Sequence, residues 1–485
     1  MASIDEIRQN RLHKLELLKN AGMEIFPVYS SRDYSLEDVS QKFDESASSG
    51  ALISLAGRVM SLRPQGGLIF FNFFDGTGNF QGLLKKETMD ETLFGLFFNA
   101  IDVGDFVEVK GTLFTTKTNQ QTIEVSTWKI LSKALLPLPE KWHGLQDTEE
   151  RYRKRYLDIL MDPEIRELFN KKALFWRTTR EFLEREGFME VQTPTLEITT
   201  GGAEATPFKT HVNDYDLDVY LRISVGELWQ KRLMAAGFPR TYEIGRVYRN
   251  EGSSPEHLQE FTNMEFYAAY LNFEDGKELV KNLYKEISQK VFGKSKFETR
   301  GHKFDLNDEW QDLDYVDTVK KITGMDVLES SKGDIKDKLE VLGVEYDGEN
   351  RERLTDALWK YCRKQISGPA FLINHPKLVA PLSKEHPDDA RKTKTFQVIL
   401  AGSEIGRAHA ELNDPIDQQA RFDAQKKLLD AGDTEAMMPD YEYIEMMEHG
   451  MPPTFGFGFG ERLFTFLMDT PVREATLFPL MRPRD

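Results

Sequence analysis

The stretch "FTNMEFY", residues 261–267, places Phe261, Asn263, Glu265 and Tyr267 at odd positions and Thr262, Met264 and Phe266 at even ones. Side chains of a β-strand point alternately to its two faces, so a strand here has one apolar face and one polar, aromatic face. Such a strand belongs to a sheet packed on one side only. The segment before it, "TYEIGRVYRNE", supplies an antiparallel partner on which Val247, Arg249 and Glu251 share a side. Gathering an arginine, two carboxylates and two aromatics on one open face is costly without a ligand to satisfy them.

A second segment, "FQVILAGSEIGRAHAELND", repeats the pattern: Arg407, His409, Glu411 and Asn413 take one face, and Ala408, Ala410 and Leu412 the other. One such strand reads as a solvated face; two in one domain leave a solvated face and a ligand floor equally open. A third, "PPTFGFGFGERLFTFLMD", alternates glycine with phenylalanine before Glu461 and Arg462. Glycine lets a flat ligand approach the backbone, and the arginine suits a phosphate, although a close-packed strand reads the same way.

A different texture precedes these strands. The runs "ALISLAGRVMSL", "GLIFFNFFDGTGNFQGLL", "DFVEVKGTLFTT" and "QTIEVSTWKIL" are short, β-rich and separated by turns, which predicts a small OB-type barrel over residues 51–137. That fold binds single-stranded nucleic acid through basic grooves and stacking aromatics. In "LIFFNFFD" at least one of Phe70, Phe71, Phe73 and Phe74 is expected off the core face. Residues 1–50 form a helical extension whose first helix, 4–19, either packs on its own domain or meets nucleic acid. A linker with the basic run "ERYRKRY" covers 138–156, and the second domain spans 157–485, with a helical insertion at about 275–365.

At 485 residues the chain exceeds what one core holds, and no apolar run is long enough to span a membrane. The charged N-terminus lacks the apolar centre of a secretory signal, and Cys362, the single cysteine, forms no internal disulfide. A cytoplasmic protein is expected. The net charge of −17 argues against indiscriminate polyanion binding and leaves local RNA contacts open.

Together the three strand segments resemble the signature motifs of class II aminoacyl-tRNA synthetases. The stretches "LPLPEKWHGLQDTEERYRKRYLDIL", "GFMEVQTPTLE", "GGAEATPFKTH", "DLDVYLRIS", "EIGRVYRNEG", "ELNDPIDQ" and "LFPLMRP" resemble the lysyl-tRNA synthetases among them. The resemblance implies an α+β chain: an N-terminal OB-fold barrel, then a class II synthetase antiparallel sheet flanked by helices. It further implies a homodimer with its interface around Pro194, and activation of L-lysine with ATP and Mg2+ before transfer to tRNA(Lys).

On this resemblance Arg249 grips the α-phosphate, where a fixed guanidinium stabilises developing charge, and Arg462 the γ-phosphate. Glu251 and Phe261 hold the adenine, and His257 lies on the phosphate side. Glu265 and Glu411 face the lysine ε-ammonium with Tyr267 alongside, Glu227 meets the α-amino group, and Glu404 binds magnesium. Arg63, Phe70 and Gln81 fall in the anticodon-reading region.

Some positions depart from the pattern. Glu256 precedes His257 where an arginine is usual, Gln397 stands in place of a second metal-binding carboxylate, and Arg407 and His409 replace an asparagine and a phenylalanine. Motif 3 is one residue short between its glycines and Glu461. A rival of another class is a non-aminoacylating, RNA-binding or regulatory paralogue; within the class, the aspartyl and asparaginyl enzymes share the architecture.

Overall fold

The computed structural model describes residues 3–139, 145–203, 205–346, 348, 350–380, 382–430 and 437–484. It divides into two compact units, residues 1–161 and 162–485.

The first unit opens with α1 (Ile4–Asn20), α2 (Leu36–Gln41) and α3 (Phe43–Ser49). Strands β1 (Ile53–Gln65), β2 (Leu68–Phe74), β3 (Asn79–Lys85), β4 (Phe106–Thr115) and β5 (Gln121–Ser132) close a barrel in the order β1-β2-β3-β5-β4, with α4 (Glu91–Ala100) between β3 and β4. In β2, Ile69, Phe71 and Phe73 are buried while Leu68, Phe70, Asn72 and Phe74 are half-exposed. Phe71 meets Phe97 of α4 at 5.3 Å, and Phe97 meets Trp128 edge-on at 5.0 Å, which centres the core under α4.

The amphipathic α1 packs on its own unit. Leu15 and Leu18 are buried, and Arg11 donates to the carbonyls of Val103, Ala134 and Leu136. Of the expected linker, residues 140–144 lie outside the described residues. Its basic run forms α5 (Thr148–Arg153) and leads into α6 (Arg155–Met161), where Arg155 is buried and donates to Asp158 at 2.6 Å.

The second unit begins with α7 (Pro163–Arg185), started by the Asp162 cap and by Pro163, whose missing N–H costs nothing in the first turn. Then come β6 (Met189–Glu190), β7 (Leu196–Glu197), β8 (Lys209–Val212), β9 (Leu217–Leu221), α8 (Glu227–Ala235), β10 (Arg240–Tyr248), β11 (Glu260–Ala269) and α9 (Phe273–Phe292). The stretch expected as a helical insertion carries most of α9, then β12 (Lys296–Thr299), β13 (His302–Asp305), β14 (Gln311–Asp314), α10 (Tyr315–Thr323), α11 (Lys332–Val341) and α12 (Arg351–Arg363). The chain returns through β15 (Ala370–Ile373), β16 (Glu385–His386), β17 (Asp389–Thr393), β18 (Thr395–Leu400), β19 (Ser403–Ala410), α13 (Pro415–Asp430), α14 (Tyr441–Glu448), β20 (Thr454–Gly460) and α15 (Arg462–Leu467).

Eight strands form the main sheet in the order β14-β15-β18-β19-β20-β11-β10-β6, antiparallel except at its two edges. The segment "FMEVQTP" holds a shorter strand than its composition suggests. Its last backbone bond to β10 runs from the Val191 N–H to the Tyr242 carbonyl (2.9 Å); beyond it Thr193 turns its N–H and hydroxyl to the Glu243 carboxylate (2.9 and 2.7 Å), and Pro194 has no N–H to pair. One face of the sheet is covered by α7 and α9: Phe175, Phe182, Leu283, Tyr284 and Ile287 pack against Met264, Phe266, Phe455, Phe457 and Phe459. At about 1.5–3 kcal/mol per buried side chain, this layer holds the sheet and leaves the opposite face free for chemistry. Cys362 lies in a separate core with α10, α11 and α12, where burial pushes its thiol up to about 12.

The base of the barrel unit carries a buried ion cluster. Lys133 Nζ donates to Asp105 (2.7 Å), Asp102 (2.6 Å) and the Ala100 carbonyl (2.7 Å), and Lys14 of α1 reaches Asp102 at 2.6 Å. Removing the cation strands Asp105, which has no exposed side-chain area. Lys133→Met should therefore cost the barrel unit about 3–5 kcal/mol in urea unfolding, and adding Asp105→Asn should recover part of the loss. An unchanged midpoint in the single variant would show that the pair holds nothing.

Candidate active site

Glu227, Arg249, Glu251, His257, Phe261, Glu265, Tyr267, Glu404, Glu411 and Arg462 line one cavity of about 460 Å³ on the open face of the main sheet, whereas Asn413 is not in its lining and donates to the Met451 carbonyl at 3.2 Å. Its floor follows from strand register. Glu243 pairs with Glu265, Gly245 with Asn263 and Val247 with Phe261, so these residues share the face opposite Met264 and Phe266. Strand β10 ends at Tyr248, so Arg249 and Glu251 lie just beyond it and not within it as their spacing suggested. Arg249 still follows the line of the strand, because its N–H donates to the Gln259 carbonyl at 2.8 Å.

Strand β20 lies beside β11, with Gly456 opposite Tyr267 and Gly458 opposite Glu265. A Cβ at Gly456 would collide with Glu411 Oε1 and come within 2.6 Å of the Tyr267 ring, and one at Gly458 would come within 2.8 Å of Glu265 Cγ. The glycines thus leave the floor bare while the alternate phenylalanines enter the core. Next to β20, β19 bulges: Gln397 pairs with Arg407, but Ile399 pairs with Glu404, so one extra residue is inserted between them. The bulge brings Glu404, of opposite parity, into the same cavity as Arg407, His409 and Glu411.

One end of the cavity is a buried charge cluster. Lys231, fully enclosed on α8, lies 2.7 Å from Glu227 and 2.6 Å from Glu411. Burial opposes its charge, but Glu227 and Glu411 outweigh that and hold the ammonium protonated. Glu265 accepts from the Val225 N–H (2.9 Å), Asn263 Nδ2 (3.0 Å) and the Tyr267 hydroxyl (3.0 Å). Burial, and then Glu227, push its carboxyl up to about 7. Burial pushes Glu411 up to about 8 as well, so three carboxyl groups share one internal cation and part of their excess negative charge is held back by protons that a further cation would displace. Lys231 escaped the sequence reading, although the i,i+4 pair of Glu227 and Lys231 in "ELWQK" was there to signal it.

The other end is cationic. Arg249 is half-buried, donates to the Ile223 carbonyl (3.3 Å from Nη2) and lies over the Phe261 ring at 5.3 Å. Arg462 donates to the Glu404 carbonyl and lies 3.4 Å from His257 Nε2. Burial and then Arg462 lower the His257 pKa, so the ring is neutral, with Nδ1 2.8 Å from Ser254 Oγ. Glu251 lines the rim and its carbonyl accepts from Gln259 Nε2 at 2.7 Å.

The departures from the family pattern acquire partners here. His375, held neutral by burial and by Arg407 with its pKa lowered to about 3, donates from Nε2 to Gln397 Oε1 at 2.8 Å. That turns Gln397 Nε2 onto Glu404 Oε2 (3.0 Å), and Trp359 Nε1 donates to Glu404 Oε1 (2.5 Å). His409 adds no charge: burial and Arg407 hold it neutral, with its Nδ1 against the Ser383 and Thr395 hydroxyls. Arg407 donates to the Val379 carbonyl at 2.9 Å. Glu404 lies beside the cationic end, and among the described residues no group of three His, Cys, Asp or Glu side chains forms a metal cage. One carboxylate suits a magnesium ion that takes its other ligands from nucleotide phosphates and water.

In the barrel, Arg63 pairs with Phe70 across β1 and β2, and Asn72 with Gln81 across β2 and β3, which puts Arg63, Phe70 and Gln81 on one outward face. Gln81 is largely buried and its carbonyl accepts from Thr122 Oγ1 at 2.9 Å.

Residues 147–482 match the family described as tRNA synthetases class II (D, K and N), and residues 53–131 match the OB-fold nucleic acid binding domain. The chain is 40% identical to the lysine–tRNA ligase of Thermotoga maritima over 99% of its own length and 97% of that protein. It is 38% identical to the lysine–tRNA ligase of Thermosipho africanus (99% and 97% covered) and 39% identical to that of Roseiflexus sp. strain RS-1 (99% and 100%). With its cavity built on class II motifs and its whole length aligned, the chain belongs to the class II tRNA synthetases and, within them, to the lysine–tRNA ligase family.

Proposed function

We propose that the chain is a lysine–tRNA ligase, which joins L-lysine to ATP as lysyl-adenylate with loss of pyrophosphate and then transfers lysine to the 3′ end of tRNA(Lys). The observation that carries this reading is the charge account of the cavity: three buried carboxylates against one lysine at one end, and guanidiniums at the other. L-lysine brings two ammonium groups to the deficient end and a carboxylate to the cationic one. Aspartate in that cluster would add like charge to Glu265 and Glu411.

In the first step a lysine carboxylate oxygen bonds to the α-phosphorus while the bond from that phosphorus to the bridging oxygen breaks, and pyrophosphate leaves. Arg249 stabilises charge at the α-phosphate, Arg462 and His257 hold the outer phosphates, and Phe261 and Glu251 receive the adenine. These groups act by position and charge and not by covalent chemistry. Glu404 is the protein oxygen that would hold Mg2+, which when bound neutralises phosphate charge. In the second step the tRNA 3′ hydroxyl attacks the lysyl carbonyl and AMP leaves.

The barrel face of Arg63, Phe70 and Gln81 is the anticodon reader. The exposed Met189, Leu196 and Ile198 around Pro194 form the contact of a homodimer. Among the described residues no helix is long and apolar enough to cross a membrane, in keeping with work in the cytoplasm. A non-aminoacylating RNA-binding role would leave the buried charge cluster unexplained.

ATP–pyrophosphate exchange tests the reading: lysine should support exchange, and exchange with aspartate or asparagine in its place, or none at all, overturns it. Glu411→Gln should raise the lysine KM at least about tenfold while moving the ATP KM little; equal rises would remove Glu411 from the ammonium. The carboxyl of Glu265, raised to about 7, is protonated below that pH and an anion above it. Glu411 is raised to about 8 as well, so the lysine KM should climb as pH falls from about 8 to 6, with a much flatter ATP KM, and Glu265→Gln should flatten the lower part of the climb while leaving the share that Glu411 contributes. Phe70→Ala should raise the tRNA KM about tenfold, as loss of one stacked base does, without touching exchange; an unchanged tRNA KM would return Phe70 to mere packing.

A further inference from the structure

The phosphate end of the cavity contains a carboxylate that adenylation leaves without a task. Glu256, at the tip between β10 and β11, accepts a hydrogen bond from Arg300 Nη1 and lies 3.7 Å from Arg462 Nη1. The tip aims it there: the Glu256 N–H donates to Ser254 Oγ at 3.1 Å, and the Pro255 carbonyl accepts from the Val472 N–H at 2.9 Å.

Arg300 is placed with equal care. It occupies the turn between β12 and β13 with φ 52°, followed by Gly301 at 79°. Two successive left-handed residues suit Asn and Gly, and an arginine there carries backbone strain of the kind that collects at functional sites. The turn is tied to the chain after α15, because Thr299 Oγ1 and the Arg300 N–H both donate to Asp469 Oδ1 (2.6 and 3.3 Å). The guanidinium lies 4.0 Å from the ring centre of Phe466, one helical turn along α15 from Arg462.

We infer that Arg300 binds the outer phosphates of ATP and pyrophosphate together with Arg462, and that Glu256 is a built-in competitor which holds the two arginines paired until those phosphates take them. The inference deepens the ligase reading and rests on it only for the nucleotide. Carboxylates and phosphates present the same acceptor geometry to a guanidinium, so Glu256 sits as a stand-in anion. It also repels an incoming triphosphate, and the exposed residues 252–255 give its loop room to swing aside. A latch that merely fastened the tip to the hairpin would fail in the same direction whichever partner was removed. A ligand and its competitor respond with opposite signs.

Calorimetric titration of the full chain with ATP, pyrophosphate and AMP reads those signs. Arg300→Gln should weaken ATP and pyrophosphate about tenfold and leave AMP, which lacks the outer phosphates, within about twofold. Glu256→Gln should tighten ATP about threefold. Arg300→Lys, which keeps the charge without the planar fork, should fall between wild type and Gln, and it decides the question if the Gln variant does not fold. The proposal is overturned if ATP binding is unchanged in the Arg300 variants, if ATP and AMP weaken alike, or if Glu256→Gln weakens ATP. Wild-type exchange with lysine beside an indifferent Arg300 sinks this proposal alone. Absent exchange beside an intact split between ATP and AMP sinks the ligase reading and leaves the phosphate site standing.

Discussion

Gly456, Gly458 and Gly460 alternate with Phe455, Phe457 and Phe459 along β20, and the cavity depends on that alternation. The phenylalanines enter the core, where Phe457 meets Phe266, Tyr284 and Phe396. The glycines give the opposite face no side chains, which is why Glu411, Tyr267 and Glu265 from neighbouring strands can lean over β20. The strand therefore carries the packing of the unit on one face and its chemistry on the other. A core change that shifted β20 by even a fraction of an ångström would move the floor under the charged residues, since packed interiors transmit strain.

The charge cluster at the deep end is expensive to maintain. Desolvating three carboxylates and an ammonium costs several kcal/mol per ion, and Lys231 offsets only part of the negative charge. Glu265 responds by holding its proton into the neutral range. A site that is under-neutralised when empty is completed by a cation, so its specificity and its instability have one cause. Buried ionic groups of this kind are poor stabilisers and good discriminators.

Where side-chain period and hydrophobicity agree, the fold can be read directly from the chain. At residues 261–267 polar and apolar side chains change with every step, and the structure has those same two faces. In "LIFFNFFD" the period is equally strict, with Ile69, Phe71 and Phe73 inside, but the outward face is also apolar and hides the alternation. Glu404 shows the opposite limit. Its parity sends it away from Arg407, and only the bulge between them brings both to one cavity. Arg300 lies 44 residues from Glu256, with β11, α9 and β12 between them and no local pattern to connect the two. Bulges and long-range docking thus hide Glu404 and Arg300 from sequence reading, and strand alternation carries only as far as the strand itself, which ends at Tyr248 before Arg249 and Glu251.

The departures in the site follow a common direction. Against the pattern that the resemblance implies, Glu256 stands where an arginine is usual, a change of two charge units at the tip of the β10–β11 loop. Gln397 in place of a carboxylate and Arg407 in place of an asparagine return two to the floor beside Glu404. Summed over these three positions the charge is unchanged, but its centre moves from a loop to the sheet. A charge on β19, paired in register with Gly458 and anchored at the Val379 carbonyl, is held more rigidly than one on a loop tip. Electrostatic stabilisation of a transition state works through groups that need not reorganise, so a charge moved onto the sheet is better placed for catalysis than one on the tip. The tip, relieved of carrying positive charge itself, is left to position Glu256 against Arg300 and Arg462.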